Sequence, residues 1–255
     1  MDCQSWRYTC GTLRAHRLST IGRGILSIGH KIRIVFLAVA VWLMVTATPP
    51  MLRAQAAVER LGDHLFRLGQ IRIDTAKREI AISGHVNDAH VLEFVASTTG
   101  GFKAYESALS LDTGGIPFNA ALLLIGLDKA HARVPTRHFD PIAPAGDPVD
   151  LWVQWSLNGQ ARRERVEALL FDIRTRQPIP SGVWVYTGST FVQDNAYLAD
   201  IDGVLIGFVH SPAPVIENPR AGAVDSYGSV ILNPNLGLPP GTAVTLTVHA
   251  LSEKR

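Results

Sequence analysis

The amino-acid sequence predicts an α+β domain, mostly antiparallel β-sheet with one buried helix near residues 117–127. Three observations carry that expectation. Ile71, Ile73, Ile80 and Ile82 recur two residues apart, the period that puts apolar side chains on one face of a strand. Asn158-Gly159 separates two apolar-patterned runs and is the strongest hairpin dipeptide in the chain. The run Pro117-Phe-Asn-Ala-Ala-Leu-Leu-Leu-Ile-Gly-Leu127 is apolar almost all round, as expected of a helix buried against a sheet instead of lying on the surface.

Taken in order, Ile71–Ile73 and residues 78–86 form two strands around the turn-like Asp74-Thr75-Ala76-Lys77. Residues 92–97 and 105–111 are expected to form a hairpin around Thr99-Gly100-Gly101. The helix follows, with Pro117 in its first turn, where the missing N–H costs nothing. Residues 130–148, rich in proline and polar groups, form a long loop. Residues 149–156 and 160–171 make the Asn158-Gly159 hairpin, 183–186 a short strand, 197–210 one or two strands around Asp202-Gly203, and 243–251 a closing strand. Residues 92–112 and 151–172 share a strand, glycine turn and strand pattern, which raises duplication as an alternative to coincidence.

An uninterrupted apolar run, Ile34–Val45, follows Lys31 and Arg33 and precedes Pro49-Pro50 and Ala54-Gln55-Ala56. That order is the secretory signal pattern, so residues 1–56 are expected to be a cleaved leader, or else an N-terminal anchor, with one domain over 57–255. The expected location is periplasmic or secreted. Seven basic residues and one acid lie up to Ala56; taken from the chain totals of 24 and 22, they leave 17 basic and 21 acidic residues beyond it. A mildly acidic domain has no electrostatic reason to seek nucleic acid or anionic lipid. Both cysteines, Cys3 and Cys10, precede the apolar run. The domain thus has no means of building a disulfide framework, a cysteine-ligated zinc site or an iron–sulfur cluster, and no cofactor is expected.

Several ordered segments carry a resemblance. They are Lys103-Ala-Tyr-Glu106-Ser107, Asn119-Ala-Ala-Leu-Leu-Leu-Ile-Gly126, Leu151-Trp-Val-Gln-Trp155, Trp184-Val-Tyr-Thr-Gly-Ser189 and Tyr197-Leu-Ala-Asp-Ile-Asp-Gly203. From about Gln70 onward this order resembles the YdjY-type domain of exported bacterial proteins, many of them from planctomycetes. The resemblance implies no established activity. Some relatives are labelled ferredoxin-like, which the cysteine count contradicts, and Asn119 stands where relatives place a histidine, which argues against a metal ligand there.

Four constellations are candidates for chemistry. Glu106, Ser107 and Asn119 suggest a polar pocket where strand meets helix, or a hydrogen-bond network tying the two together. Ser107 lies outside any G-x-S-x-G context. Asp200 and Asp202, two apart on an expected strand and followed by Gly203, suggest an oxygen-ligand metal site, with an ordinary turn as the bland alternative. His85, His90, His131 and His138, with Asp140, lie in expected loops but match no metal-binding spacing. Trp155 and Trp184, with Trp152 and Tyr186, offer a stacking surface or core. The leading expectation is a non-catalytic extracytoplasmic module that binds an unidentified envelope or secreted partner, or serves structurally. The alternative is an enzyme or metal-binding protein with a pocket around Glu106, Asn119 and Asp200 or Asp202.

Overall fold

The computed structural model describes residues 57–220 and 228–252; the expected leader lies outside the described residues. Fifteen strands are present: β1 (Val58–Arg60), β2 (Leu65–Leu68), β3 (Ile71–Asp74), β4 (Glu79–Val86), β5 (Phe94–Thr98), β6 (Ser107–Leu111), β7 (Asp147–Leu157), β8 (Gln160–Arg165), β9 (Leu170–Asp172), β10 (Gln177–Pro178), β11 (Trp184–Tyr186), β12 (Val204–Gly207), β13 (Ile216–Glu217), β14 (Val230–Leu232) and β15 (Ala243–Ala250). Two α-helices are described, α1 (Gly115–Leu124) and α2 (Leu198–Asp202).

The expectation of an α+β domain of mostly antiparallel sheet is overturned: strands dominate the described residues, with two short α-helices beside them. The strand order β4-β15-β7-β11-β13-β12-β5-β6 returns to β4 through a β4–β6 pairing, closing an eight-strand barrel. Two of its junctions, β5–β6 and β12–β13, are parallel, so the barrel is mixed. Closure removes most of the edges that an open sheet leaves unpaired. β1, β2 and β3 extend from β4, β8 hangs from β7, and β10-β9-β14 form a separate three-stranded sheet.

The alternating residues form the core as expected. Ile71 lies opposite Ile82, Ile82 opposite Leu246, and Leu246 opposite Val153, an apolar row across four strands. All four side chains are buried. The Asn158-Gly159 hairpin is also present, with both residues at positive φ, the type I′ signature.

Three local expectations fail. Residues 92–97 and 105–111 do not form a hairpin, because a 3-10 turn over Phe102–Glu106 carries the chain back and β6 runs parallel to β5. The Gly100 turn is real (φ 75°), but strand alternation does not encode direction. The 151–172 segment begins with a true antiparallel hairpin, so the two similar stretches have different topologies. Leu198–Asp202 is helical, not extended. Helix α1 is only partly buried: Phe118, Ala121, Leu122 and Ile125, spaced as one helical face, are buried, while Ile116, Leu123 and Leu124 are exposed.

Candidate functional site

Asn119 is half-buried on α1, and its Oδ1 accepts a 2.6 Å hydrogen bond from the Tyr186 phenol. Burial pushes that phenol up to about 12, with the Asp128 and Asp147 carboxylates adding to the effect, so it remains a donor. The next turn is crowded. Gly188 has φ 69°, and a Cβ there would stand 3.0 Å from the Tyr186 oxygen. Its carbonyl accepts from Lys129 Nζ (3.2 Å) and from the buried Tyr197 phenol (3.1 Å), and Lys129 also reaches the Ser189 carbonyl at 2.6 Å. Asn119 thus ties the helix to this turn.

Asp200 and Asp202 separate because their segment is a helix. Two residues on a helix turn through about 200°, whereas two residues on a strand return to the same face. Asp200 Oδ1 accepts from the Gly115 N–H at 2.6 Å, joining α2 to the first turn of α1. Asp202 lies on the Lys103 side; burial raises its pKa and the Lys103 ammonium opposes the rise. Among the described residues no group of three or more histidine, cysteine, aspartate or glutamate side chains is placed to hold a metal ion.

Glu106 and Ser107 also diverge. Ser107 is fully buried and its hydroxyl donates to the Lys103 carbonyl at 2.8 Å. Glu106 Oε1 meets Lys103 Nζ at 2.5 Å, and that ammonium lies 5.9 Å from the ring centres of both Phe94 and Tyr105. Burial works against the Lys103 ammonium, but Glu106, by hydrogen bond and charge, takes its pKa above the usual lysine value.

Next to this pair stands a second that only the barrel brings together: His138 Nε2 lies 3.2 Å from Glu93 Oε2. Glu93 is buried and its pKa is raised, first by burial and then by the Glu106 charge. Burial and the Lys103 ammonium together hold His138 below the ordinary imidazole value, with Glu106 opposing. Glu93, Lys103, Glu106 and His138 thus form one electrostatic cluster, with the two carboxylates deep and the lysine and imidazole nearer to solvent. Exposed apolar groups lie on the Lys103 turn and on the two helices. Phe102 is 77% exposed and Tyr105 58%, their rings 6.2 Å apart edge to face. Ile201 and Ile116, 54% and 57% exposed, stand on the neighbouring α2 and on α1, which packs against it at Gly115 and Ala199.

The remaining candidates resolve elsewhere. Trp155 and Trp184 are both buried, so neither offers a stacking face. Trp184 Nε1 donates to Glu167 at 3.1 Å; Glu167 also takes Arg165, Arg220 and the Gly182 N–H. Although fully buried, Glu167 is held below the usual carboxylate value, because these donors outweigh its desolvation. His131 pairs with Asp147 at 2.5 Å. Asp140 accepts from the backbone of Thr136 and Ile142 and from the Thr136 hydroxyl, which bring it down to about 2. Sequence reasoning missed Glu93. Its one signal was an acid inside the otherwise apolar Leu92-Glu-Phe-Val-Ala stretch. Glu167 gave no comparable signal.

These features define an eight-strand mixed β-barrel carrying a compact acid–base cluster among exposed aromatic and aliphatic side chains. Comparison with known families matches the YdjY domain over residues 71–249, and the chain belongs to that family. No curated protein and no solved structure matches the chain.

Proposed function

We propose that the domain is a non-catalytic extracytoplasmic binding module whose recognition face is the surface around Lys103. The observation that carries this reading is the set of Phe102, Tyr105, Ile116 and Ile201, large apolar side chains left in solvent on neighbouring segments. Exposed apolar groups gathered beside a charge cluster are what a partner surface offers. The polar side chains Ser107, Asn119 and Asp200 are meanwhile committed to local hydrogen bonds. Localisation outside the cytoplasm rests on the leader pattern alone.

The test is site-specific photocrosslinking in the native host, with the reactive side chain at position 102, at 201 and, as a control, at Asp63. One discrete adduct at 102 and 201 and none at 63 supports the reading; equal labelling at all three positions, or none at any, rejects it. One observation favours an enzymatic alternative: His138 Nε2 stands 3.2 Å from a buried carboxylate, the kind of neighbour that orients a general base. His138→Gln separates the two, because it would abolish turnover yet leave the 102 adduct in place.

A further inference from the structure

We propose that the free edge of β8 is a second interaction surface, one that takes an extended acidic peptide segment by strand addition. It lies apart from the Lys103 face and does not depend on that reading.

Among the described residues β8 pairs with β7 alone. The register across Asn158-Gly159 identifies which backbone groups are free. Leu157 lies opposite Gln160, flanking a two-residue turn, and such a pair exchanges both of its hydrogen bonds. Alternation along the ladder then makes Trp155–Arg162 and Val153–Glu164 the next bonded pairs. The N–H and C=O groups of Ala161 and Arg163 point away from β7, toward solvent. β8 is exposed from Gln160 to Glu164, so no described residue covers that edge.

The side chains decide which strand would fit. Arg162 and Arg163 project to opposite faces, and among the described residues neither pairs with a carboxylate. The Arg163 guanidinium lies 4.3 Å from the centre of the Trp152 ring on β7. Arg165 is engaged by Glu167 and Asp150, and closes the far end of the strand. An incoming strand thus meets free backbone groups flanked on its two faces by guanidinium groups that no described carboxylate pairs with, in a domain that is otherwise mildly acidic. Carboxylates at consecutive positions of an extended peptide satisfy both faces, and planar guanidinium–carboxylate pairing adds direction to the backbone bonds. A second copy of this chain is a poorer occupant, since antiparallel pairing centred on Arg163 sets that side chain against its own counterpart.

The experiment uses the full chain and a fluorescent peptide, acetyl-Thr-Val-Asp-Glu-Val-Thr-amide, read by anisotropy. Two further peptides carry N-methyl groups on alternate amides, one in each register. Strand addition predicts binding of the parent peptide, loss of at least tenfold with one methylated register, and little change with the other. Arg163→Glu and Arg163→Pro should each weaken binding by a similar factor. The proline removes only an outward N–H, because Arg163 faces Gln154 in a non-bonded pair. Unchanged melting temperatures confirm that both variants fold. Equal tolerance of the two methylated peptides would overturn the proposal in favour of simple charge attraction. Absence of binding at millimolar peptide would overturn it too, leaving the arginines as guards against edge pairing. Self-association of the chain that Arg163→Pro abolishes would make the edge a dimer contact and would likewise overturn it.

Discussion

Glu217 is the one fully buried carboxyl in the described residues that makes no ion pair. Its Oε1 accepts the Ser211 N–H at 3.0 Å, and its Oε2 has no partner. The carboxyl lies against the bare backbone of Gly207, where an added Cβ would stand 3.1 Å from both oxygens. His210, next to Ser211, has its ring nitrogens 2.9 and 3.0 Å from the carbonyl oxygens of Asp140 and Asn218, and a neutral imidazole donates to only one of them. Burial therefore raises the Glu217 pKa well above the ordinary glutamate value, against the opposing backbone N–H groups of Ser211 and Asn218.

A raised acid pKa means that the folded state holds the proton more tightly than the unfolded chain does. The stability it contributes is complete below the unfolded value, near 4.5, and is lost as pH rises through the window up to the folded value. Within that window the loss is about 1.4 kcal/mol per pH unit. The single group therefore destabilises the fold progressively as pH rises above the unfolded value. Glu217→Gln removes the titration and keeps the shape. Urea unfolding of both proteins at pH 5 and pH 7 gives a double difference in which the other titrating groups cancel. The stability of the glutamine variant relative to wild type should increase between the two pH values, by no more than about 1.4 kcal/mol per pH unit. A relative stability that does not change with pH would refute the reasoning, because it would mean that the carboxyl ionises in the fold as readily as in the open chain.

Three further outcomes follow from the geometry. Tyr186→Phe deprives the half-buried Asn119 of its 2.6 Å partner and should cost about 1 to 2 kcal/mol in urea unfolding without loss of the barrel. Glu167→Ala leaves Arg165, Arg220 and the Trp184 N–H facing an empty site, and a loss of about 3 kcal/mol or more is expected by the same measurement. Lys103→Met removes the ammonium that helps to depress His138, so the imidazole pKa, followed by NMR through its ring protons, should move upward toward the free value. No movement would show that Lys103 does not face the His138–Glu93 pair.

What the sequence discloses and what it withholds divide along the range of the interaction. The isoleucine pairs of β3 and β4, the alternation of β15 and the Asn158-Gly159 hairpin are local, and the folded chain realises each of them. Closure of the barrel is not local. It requires β6 to reach back to β4 and run parallel to β5, and strand patterning is the same for either direction. The short helix α2 is the most consequential misreading. Leu-Ala-Asp-Ile-Asp is too brief for a period to show, and taken as a strand it puts Asp200 and Asp202 on one face. As a helix it turns them apart, Asp200 to the start of α1 and Asp202 toward Lys103. The cluster that does form joins Glu93 to His138, far apart in sequence, and no spacing rule connects them. Glu93 precedes β5 and His138 sits in the long loop before β7. A salt bridge of this kind is specified by the topology that carries two loops to one place, so its legibility depends on knowing that the sheet closes.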